Sequence, residues 1–198
     1  FVARYTSNGV FSSVITIGNS NNEELTDMTV DANGDVVIVG NFQGSNVDFN
    51  PAAGTNHLSS AGDRDMFIAK YSASLSHLWA FSIGNSLDDQ INGIATDASS
   101  NIYITGSYRK FGSTNAPDFN PGSGTAVPSN GFVGDAFVAK YNMNFNFLWV
   151  FSITDAGSTN GTQVGKGISI DSNGDILVHG TFSSSTDFDP SSGTLVLN

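Results

Sequence analysis

The feature that most constrains this chain is a repeat. Phe1-Val2-Ala3-Arg4-Tyr5 recurs as Phe67-Ile68-Ala69-Lys70-Tyr71 and again as Phe137-Val138-Ala139-Lys140-Tyr141, at intervals of 66 and 70 residues. Self-similarity at a long, nearly fixed period means that one supersecondary unit is used several times, each copy burying its apolar face on the next. Architecture is therefore decided before any local propensity is weighed.

Each period resolves into four strand-like runs. In the middle period these are 91–97, 101–108, 136–141 and 147–153, with apolar and polar residues alternating best in the second. The first run recurs at 27–31 and 167–171, the second at 36–42 and 176–182, and the fourth at 11–18 and 78–84. Helical periodicity is absent. Asn33-Gly34 and Asn173-Gly174 join the first and second runs and predict tight hairpins, since both residues tolerate positive φ. Gly40, Gly106 and Gly180 fall at one register position inside the second run, which predicts a bulge or a close backbone approach there. The fourth run carries Leu78-Trp79 and Leu148-Trp149, but Ser12-Ser13 in the first copy.

The pattern predicts an all-β fold of β-propeller blades, each of four antiparallel strands, with the small, glycine-rich first strand innermost. A sandwich does not require this self-similarity, and solenoid coils have shorter periods. The expected division is a half blade at 1–18, blades at 19–84 and 85–153, and a half blade at 154–198. Three repeats do not close a ring, so further blades are expected from flanking sequence or from another copy of the chain. With Phe1 in place of a start methionine, the chain reads as a segment of something longer.

Composition narrows the partners. Eighteen acidic against 7 basic residues give a formal charge of −11, which repels phosphate backbones and argues against nucleic acid. There is no basic amphipathic stretch for anionic lipid and no apolar run long enough to span a bilayer. The absence of cysteine excludes disulfides and thiolate metal sites.

One acidic motif recurs between the second and third runs: Asp48-Phe49-Asn50-Pro51, Asp118-Phe119-Asn120-Pro121 and Asp187-Phe188-Asp189-Pro190. The interval from its Asp to the Phe of the following FxA[KR]Y run is 19 residues in both testable copies, so the piece is expected to be ordered. Asp48, Asn50, Asp118, Asn120, Asp187 and Asp189 offer paired hard oxygens suited to structural Ca²⁺. The competing reading is an Asx-turn in which each Asp caps backbone N–H groups. Twelve of the 18 acids fall in these loops and in the fourth-to-first crossovers, which in a meandering blade emerge on one face.

Other candidates have plainer readings. Asp31 to Asp35 and Asp171 to Asp175 look like the start of an EF-hand loop. Its sixth and twelfth positions would be Val36 and Phe42, or Ile176 and Phe182, instead of Gly and Glu, so a hairpin turn is expected. Trp79 and Trp149 could stack on sugars, but equivalent register points to packing between repeats. Arg4, Lys70 and Lys140 share one position on a solvated or salt-bridged strand face, and His57, His77 and His179 share none.

With FxA[KR]Y, LWxFSIG, GIAxDxxxNIYITGSY and DF[ND]PxxGT in order, the chain resembles the SBBP β-propeller repeat family over all three periods. The resemblance implies a large secreted or cell-surface bacterial protein with adhesion-type modules, and no catalytic residues to carry over. The expected function is thus a non-catalytic extracellular scaffold or binding face for a protein or glycan. The alternative is a propeller-based carbohydrate-active hydrolase or lyase with its site in the central channel or outside this segment.

Overall fold

The computed structural model describes residues 1–18, 22–52, 54–110, 115–128, 133–157 and 161–198, the side chain of residue 133 excepted. Among these, every regular element is a strand and every pairing is antiparallel. The first hairpin is β1 (Val2–Tyr5) and β2 (Phe11–Ile15). The next repeat gives β3 (Glu23–Val30), β4 (Val36–Phe42), β5 (Val47–Asp48), β6 (His57–Leu58), β7 (Asp65–Tyr71) and β8 (His77–Ile83). The middle repeat gives β9 (Gln90–Thr96), β10 (Ile102–Arg109), β11 (Val133–Tyr141) and β12 (Phe147–Asp155). The last gives β13 (Gln163–Ile170), β14 (Ile176–Phe182), β15 (Thr186–Asp187) and β16 (Val196–Leu197).

One sheet has the order β3-β4-β7-β8, and β1-β2, β5-β6 and β13-β14 are pairs. The middle sheet departs from the expected four strands: it has six, in the order β16-β15-β12-β11-β10-β9. The addition comes from the neighbouring repeat. The DF[ND]P hairpin β15-β16 extends the end of β12 through Thr154↔Asp187 and Asp155↔Thr186. In the first repeat the Gly18 N–H reaches the Asp48 carbonyl in the same sense. The excursion is thus tied to the last strand of the repeat before it.

All three second-strand glycines sit opposite a register shift, as expected: Leu25/Asp27 for Gly40, Thr105/Gly106 itself, and Gly165/Gly167 for Gly180. A Cβ at Gly40, Gly106 or Gly180 would stand 2.0–2.1 Å from the carbonyl oxygen of Glu24, Gln90 or Val164. No side chain fits there.

The Asn-Gly pairs form tight hairpin turns, as read. Gly34 and Gly174 take positive φ, at 81° and 88°, but Asn33 and Asn173 do not. The loops are type I turns followed by one left-handed residue, with Gly34 N donating to Asp31 O and Asp31 N to Asp35 O. The described turns between first and second and between third and fourth strands all use this form, with Gly9, Leu75, Ser100 and Phe145 at the left-handed place in the others. Leu and Phe are costly there. Burial offsets the strain: Phe145 stacks on Tyr141 at 4.2 Å and on Trp79 and Phe81 of the preceding repeat at 5.0 Å.

Successive sheets stack through their faces, so β4 and β7 are buried on both sides and read as near-continuous apolar runs. Val37, Val39, Met66 and Ile68 face the middle sheet, while Ile38, Phe67, Ala69 and Tyr71 face Val2 and Ile15 of the first hairpin. First strands also meet: β3 lies against β9, and β9 against β13. Side chains stitch this seam, with Thr26 Oγ1 donating to Ile91 O (2.8 Å), Ile94 N to Asp27 Oδ2 (3.0 Å) and Asn92 Nδ2 to Gly165 O (2.8 Å). A Cβ on Gly93 would come within 2.9 Å of Gly167 Cα. The glycine-bearing strands are thus the narrow edge along which repeats converge.

Candidate binding face

The three DF[ND]P loops share one geometry. Asp48 Oδ1 accepts the N–H of Asn50 and of Asn56, Asp118 Oδ1 those of Asn120 and Ala126, and Asp187 Oδ1 those of Asp189 and Leu195, all at 2.8–3.0 Å. Inside each loop the next polar residue repeats the act: Asn50, Asn120 and Asp189 accept the N–H two residues on. The backbone donors of Asn56 and Asn50 hold the Asp48 carboxyl below the usual carboxylate range, and Ser191 does the same for Asp189. These six residues therefore form two nested Asx-turns per loop. Among the described residues no group of three or more His, Asp or Glu is placed to hold a metal ion. Ala53, within the first copy of the loop, lies outside the described residues.

The constant interval to FxA[KR]Y has a physical cause. Tyr71 Oη donates to Phe49 O at 2.6 Å and Tyr141 Oη to Phe119 O at 2.8 Å, locking loop to third strand. The Phe rings complete the junction, Phe49 against Phe67 and Phe119 against Phe137, each at 4.8 Å. Inserting one residue in between would break both contacts. Sequence reasoning found the interval and missed this tyrosine brace.

The acids of these loops are not all on the surface. Asp65, Asp89, Asp135 and Asp155 are buried and work inside the protein. Asp89 accepts from Asn85 N and Arg109 N, and Asp155 from Gly161 N, Gln163 Nε2 and Ser184 Oγ. Asp65 Oδ2 accepts from Ala61 N, while its Oδ1 is buried without a hydrogen-bond partner among the described residues. Burial pushes the Asp65 carboxyl up to about 6 and that of Asp89 up to about 7. Above them, Asp88 is held by Arg64 through two hydrogen bonds of 2.9 and 3.2 Å.

These shifts fix a pH dependence. From the ordinary carboxylate range up to about pH 6–7, the folded chain keeps protons on Asp65 and Asp89 that the unfolded chain has released, so stability falls as pH rises. Asp31, Asp48 and Asp97 have lowered values, and their contribution is lost only as pH drops below the ordinary range. His77, lowered by burial, favours the folded state above its ordinary value and offsets part of the fall. The melting temperature is expected to be about 2–4 °C higher at pH 5 than at pH 7.5, and the difference is expected to shrink in Asp65→Asn and Asp89→Asn. A steady rise from pH 5 to 7.5 would contradict this assignment.

The remaining candidates resolve as follows. Asp31 Oδ1 caps the turn through Asn33 N and Asp35 N, and its Oδ2 receives Lys70 Nζ at 2.7 Å, with Asp35 Oδ2 3.2 Å from the same nitrogen. The EF-hand likeness is therefore a braced hairpin turn. Trp79 packs between repeats on Phe145, as expected of its register, and Trp149 lies on Phe151 at 5.5 Å. Lys140 stands over the Tyr103 ring at 4.7 Å, and Arg4 donates to the Ala73 carbonyl. His57 Nε2 is 4.0 Å from Asp48 Oδ2, His77 packs edge-on to Tyr71, and His179 lies against Gly167.

With repeated antiparallel sheets, glycine seams and self-capped loops in place, the comparisons with known proteins point the same way. Residues 81–107, which run from the end of β8 through most of β10, match the SBBP family model, described as a beta-propeller repeat. Over 162 residues, 78% of its length, the chain is 30% identical to an uncharacterized WD repeat-containing protein of Acanthamoeba polyphaga mimivirus. It spans 11% of that relative's length. The chain is thus an all-β repeat protein carrying an SBBP-type propeller repeat.

Proposed function

We propose that this chain is part of a β-propeller that acts as a non-catalytic scaffold or binding face outside the cell. In this reading residues 19–84 and 85–153 are four-stranded blades, 1–18 and 154–198 are half blades, and β15-β16 is a latch between blades. The observation that carries it is the use of the polar loop residues. Motif carboxylates cap backbone N–H groups and buried acids brace crossovers, so the repeat invests its chemistry in holding loops to one shape. Rigid loops on a repeated frame suit recognition, since less is lost on binding when the surface is already ordered. Acidic, cysteine-free composition agrees with an exterior setting, and a protein or glycan partner with neutral or basic groups fits the charge.

The test is a glycan and protein-partner array probed with the chain, run beside a polysaccharide hydrolysis and lyase panel. Selective capture without turnover is expected. Turnover of a polysaccharide would establish the hydrolase or lyase alternative, and silence on both would reduce the role to scaffolding.

Bracing and calcium binding by the DF[ND]P loops make opposite thermal predictions. Self-capped loops are expected to keep the melting temperature within about 1 °C between millimolar Ca²⁺ and excess chelator. A rise of several degrees with Ca²⁺ would assign it to Asp48, Asn50, Asp118, Asn120, Asp187 and Asp189.

A further inference from the structure

Lys70 is an amine shut into the protein with two carboxyls. It is 4% exposed, and its Nζ lies 2.7 Å from Asp31 Oδ2 and 3.2 Å from Asp35 Oδ2. In the ladder it sits between Val37 and Trp79, and the Asp31 side chain is 1% exposed. The turn of the middle repeat closes over the hairpin, with Ala32 N donating to the hydroxyl of buried Ser100. All of these groups lie between residues 31 and 100.

The arrangement holds more than an ion pair requires. Asp31 Oδ1 accepts the N–H groups of Asn33 at 2.9 Å and of Asp35 at 3.0 Å, so two fixed backbone donors meet one carboxyl oxygen while the amine sits at the other. Such a donor pair stabilises the oxyanion of an acyl transfer. The second carboxylate, Asp35, stands beside the same nitrogen, where it can carry a proton. Nucleophile, acyl carbon, oxyanion donors and proton carrier are thus assembled around Asp31.

We propose that Lys70 and Asp31 condense in the folded protein to an amide between Nζ and Cγ, with Asp35 as the catalytic residue. The ammonium passes a proton to Asp31 Oδ2, which leaves an amine beside a carboxylic acid. The nitrogen attacks Cγ, and the charge formed on Oδ1 is held by the N–H groups of Asn33 and Asp35. The Asp35 carboxylate takes a proton from the nitrogen and returns it to the Oδ2 hydroxyl. The Cγ–Oδ2 bond then breaks and water departs, so Asp35 ends as it began. Groups held side by side react as if at effective concentrations on the order of 10⁵–10⁸ M. Burying two opposite charges also carries a desolvation cost that a neutral amide does not. Asp35, with its side chain 21% exposed, keeps its charge at the solvent edge. The middle repeat is the internal control. Asp97 Oδ1 likewise accepts the N–H groups of Ser99 and Asn101, both at 2.9 Å. Its Oδ2 is taken by Asn101 Nδ2 and the Tyr103 hydroxyl, Asn101 stands in place of the second carboxylate, and Lys140 lies over the Tyr103 ring. Lys140 therefore stays a free amine.

Intact-mass measurement on the denatured 198-residue chain tests the proposal without reference to any ligand. The expected mass is one water below that of the sequence, with a branched peptide joining Lys70 to Asp31 in the digest and Lys140 unmodified. Lys70→Arg is expected to restore the full mass. Asp35→Asn, which leaves the backbone bonds of the turn in place, is expected to stay at full mass too, and its circular dichroism serves as the folding control. The reading on the parent chain depends on no variant. A parent chain of full mass with Lys70 free, a water lost at other residues, or an Asp35→Asn chain that loses the water as completely as the parent overturns the proposal.

Discussion

Phe137→Ala is expected to lower stability by about 3–5 kcal/mol, while Phe1→Ala leaves the melting temperature of the dilute chain unchanged. Both residues open the same five-residue motif. Phe137 is fully buried, lies over Gly106 in the β10–β11 register and packs on Phe119 at 4.8 Å, so truncation leaves a cavity between second strand, third strand and loop. Phe1 is four-fifths exposed and lies outside the paired residues of the first hairpin, which begin at Val2. Denaturant unfolding of the two variants measures the contrast. A Phe137 variant within 1 kcal/mol of the parent would mean that the ring does not join loop to sheet. A domain of this size has about 5–15 kcal/mol in total, so loss at Phe137 brings the chain close to unfolding.

Lys70→Ala is expected to cost about 3–5 kcal/mol, and Lys140→Ala no more than about 1. The two lysines share a register position but not an environment. Lys70 is 4% exposed and faces Asp31 and Asp35, two carboxylates that its removal leaves crowded and unpaired. In the middle repeat Tyr103 stands where Val37 stands in the first, and its hydroxyl takes the Asp97 oxygen that a lysine would otherwise meet. Asn101 replaces Asp35, and Lys140 moves onto the ring face. Equal losses in thermal unfolding would refute this division.

These contrasts mark what was legible in the sequence. Strand positions followed from alternation and from repetition: Val36–Phe42 and Ile176–Phe182 emerge as read, because the second strand is sandwiched in two repeats and patterned in all. The bulge glycines were legible too, since a missing side chain at one register in three copies has few other causes. First strands begin several residues earlier than their apolar content suggests. Glu23, Glu24 and Gln163 join the ladder through backbone bonds that polar side chains do not advertise. The crossovers could be counted but not placed, so the burial of Asp65, Asp89 and Asp135 was invisible. Parts of two crossovers, residues 19–21 and 158–160, and residues 111–114 of the long stretch between Gly106 and Asp118 lie outside the described residues. At the DF[ND]P motif the sequence favoured Asx-turns over calcium ligands, and the N–H groups that each Asp accepts show the turns.

The central claim is that first strands of successive repeats meet edge to edge along a common seam. Thr29 and Thr96, 67 residues apart in sequence, bring their hydroxyl oxygens to 3.4 Å across it, and the chain has no cysteine of its own. Thr29→Cys/Thr96→Cys under mild oxidation is the most direct measurement. The account predicts rapid, quantitative closure of an intramolecular disulfide in the folded protein and a gain of about 2–4 kcal/mol. Two thiols that stay free in the native state, or that pair only after unfolding, would contradict it.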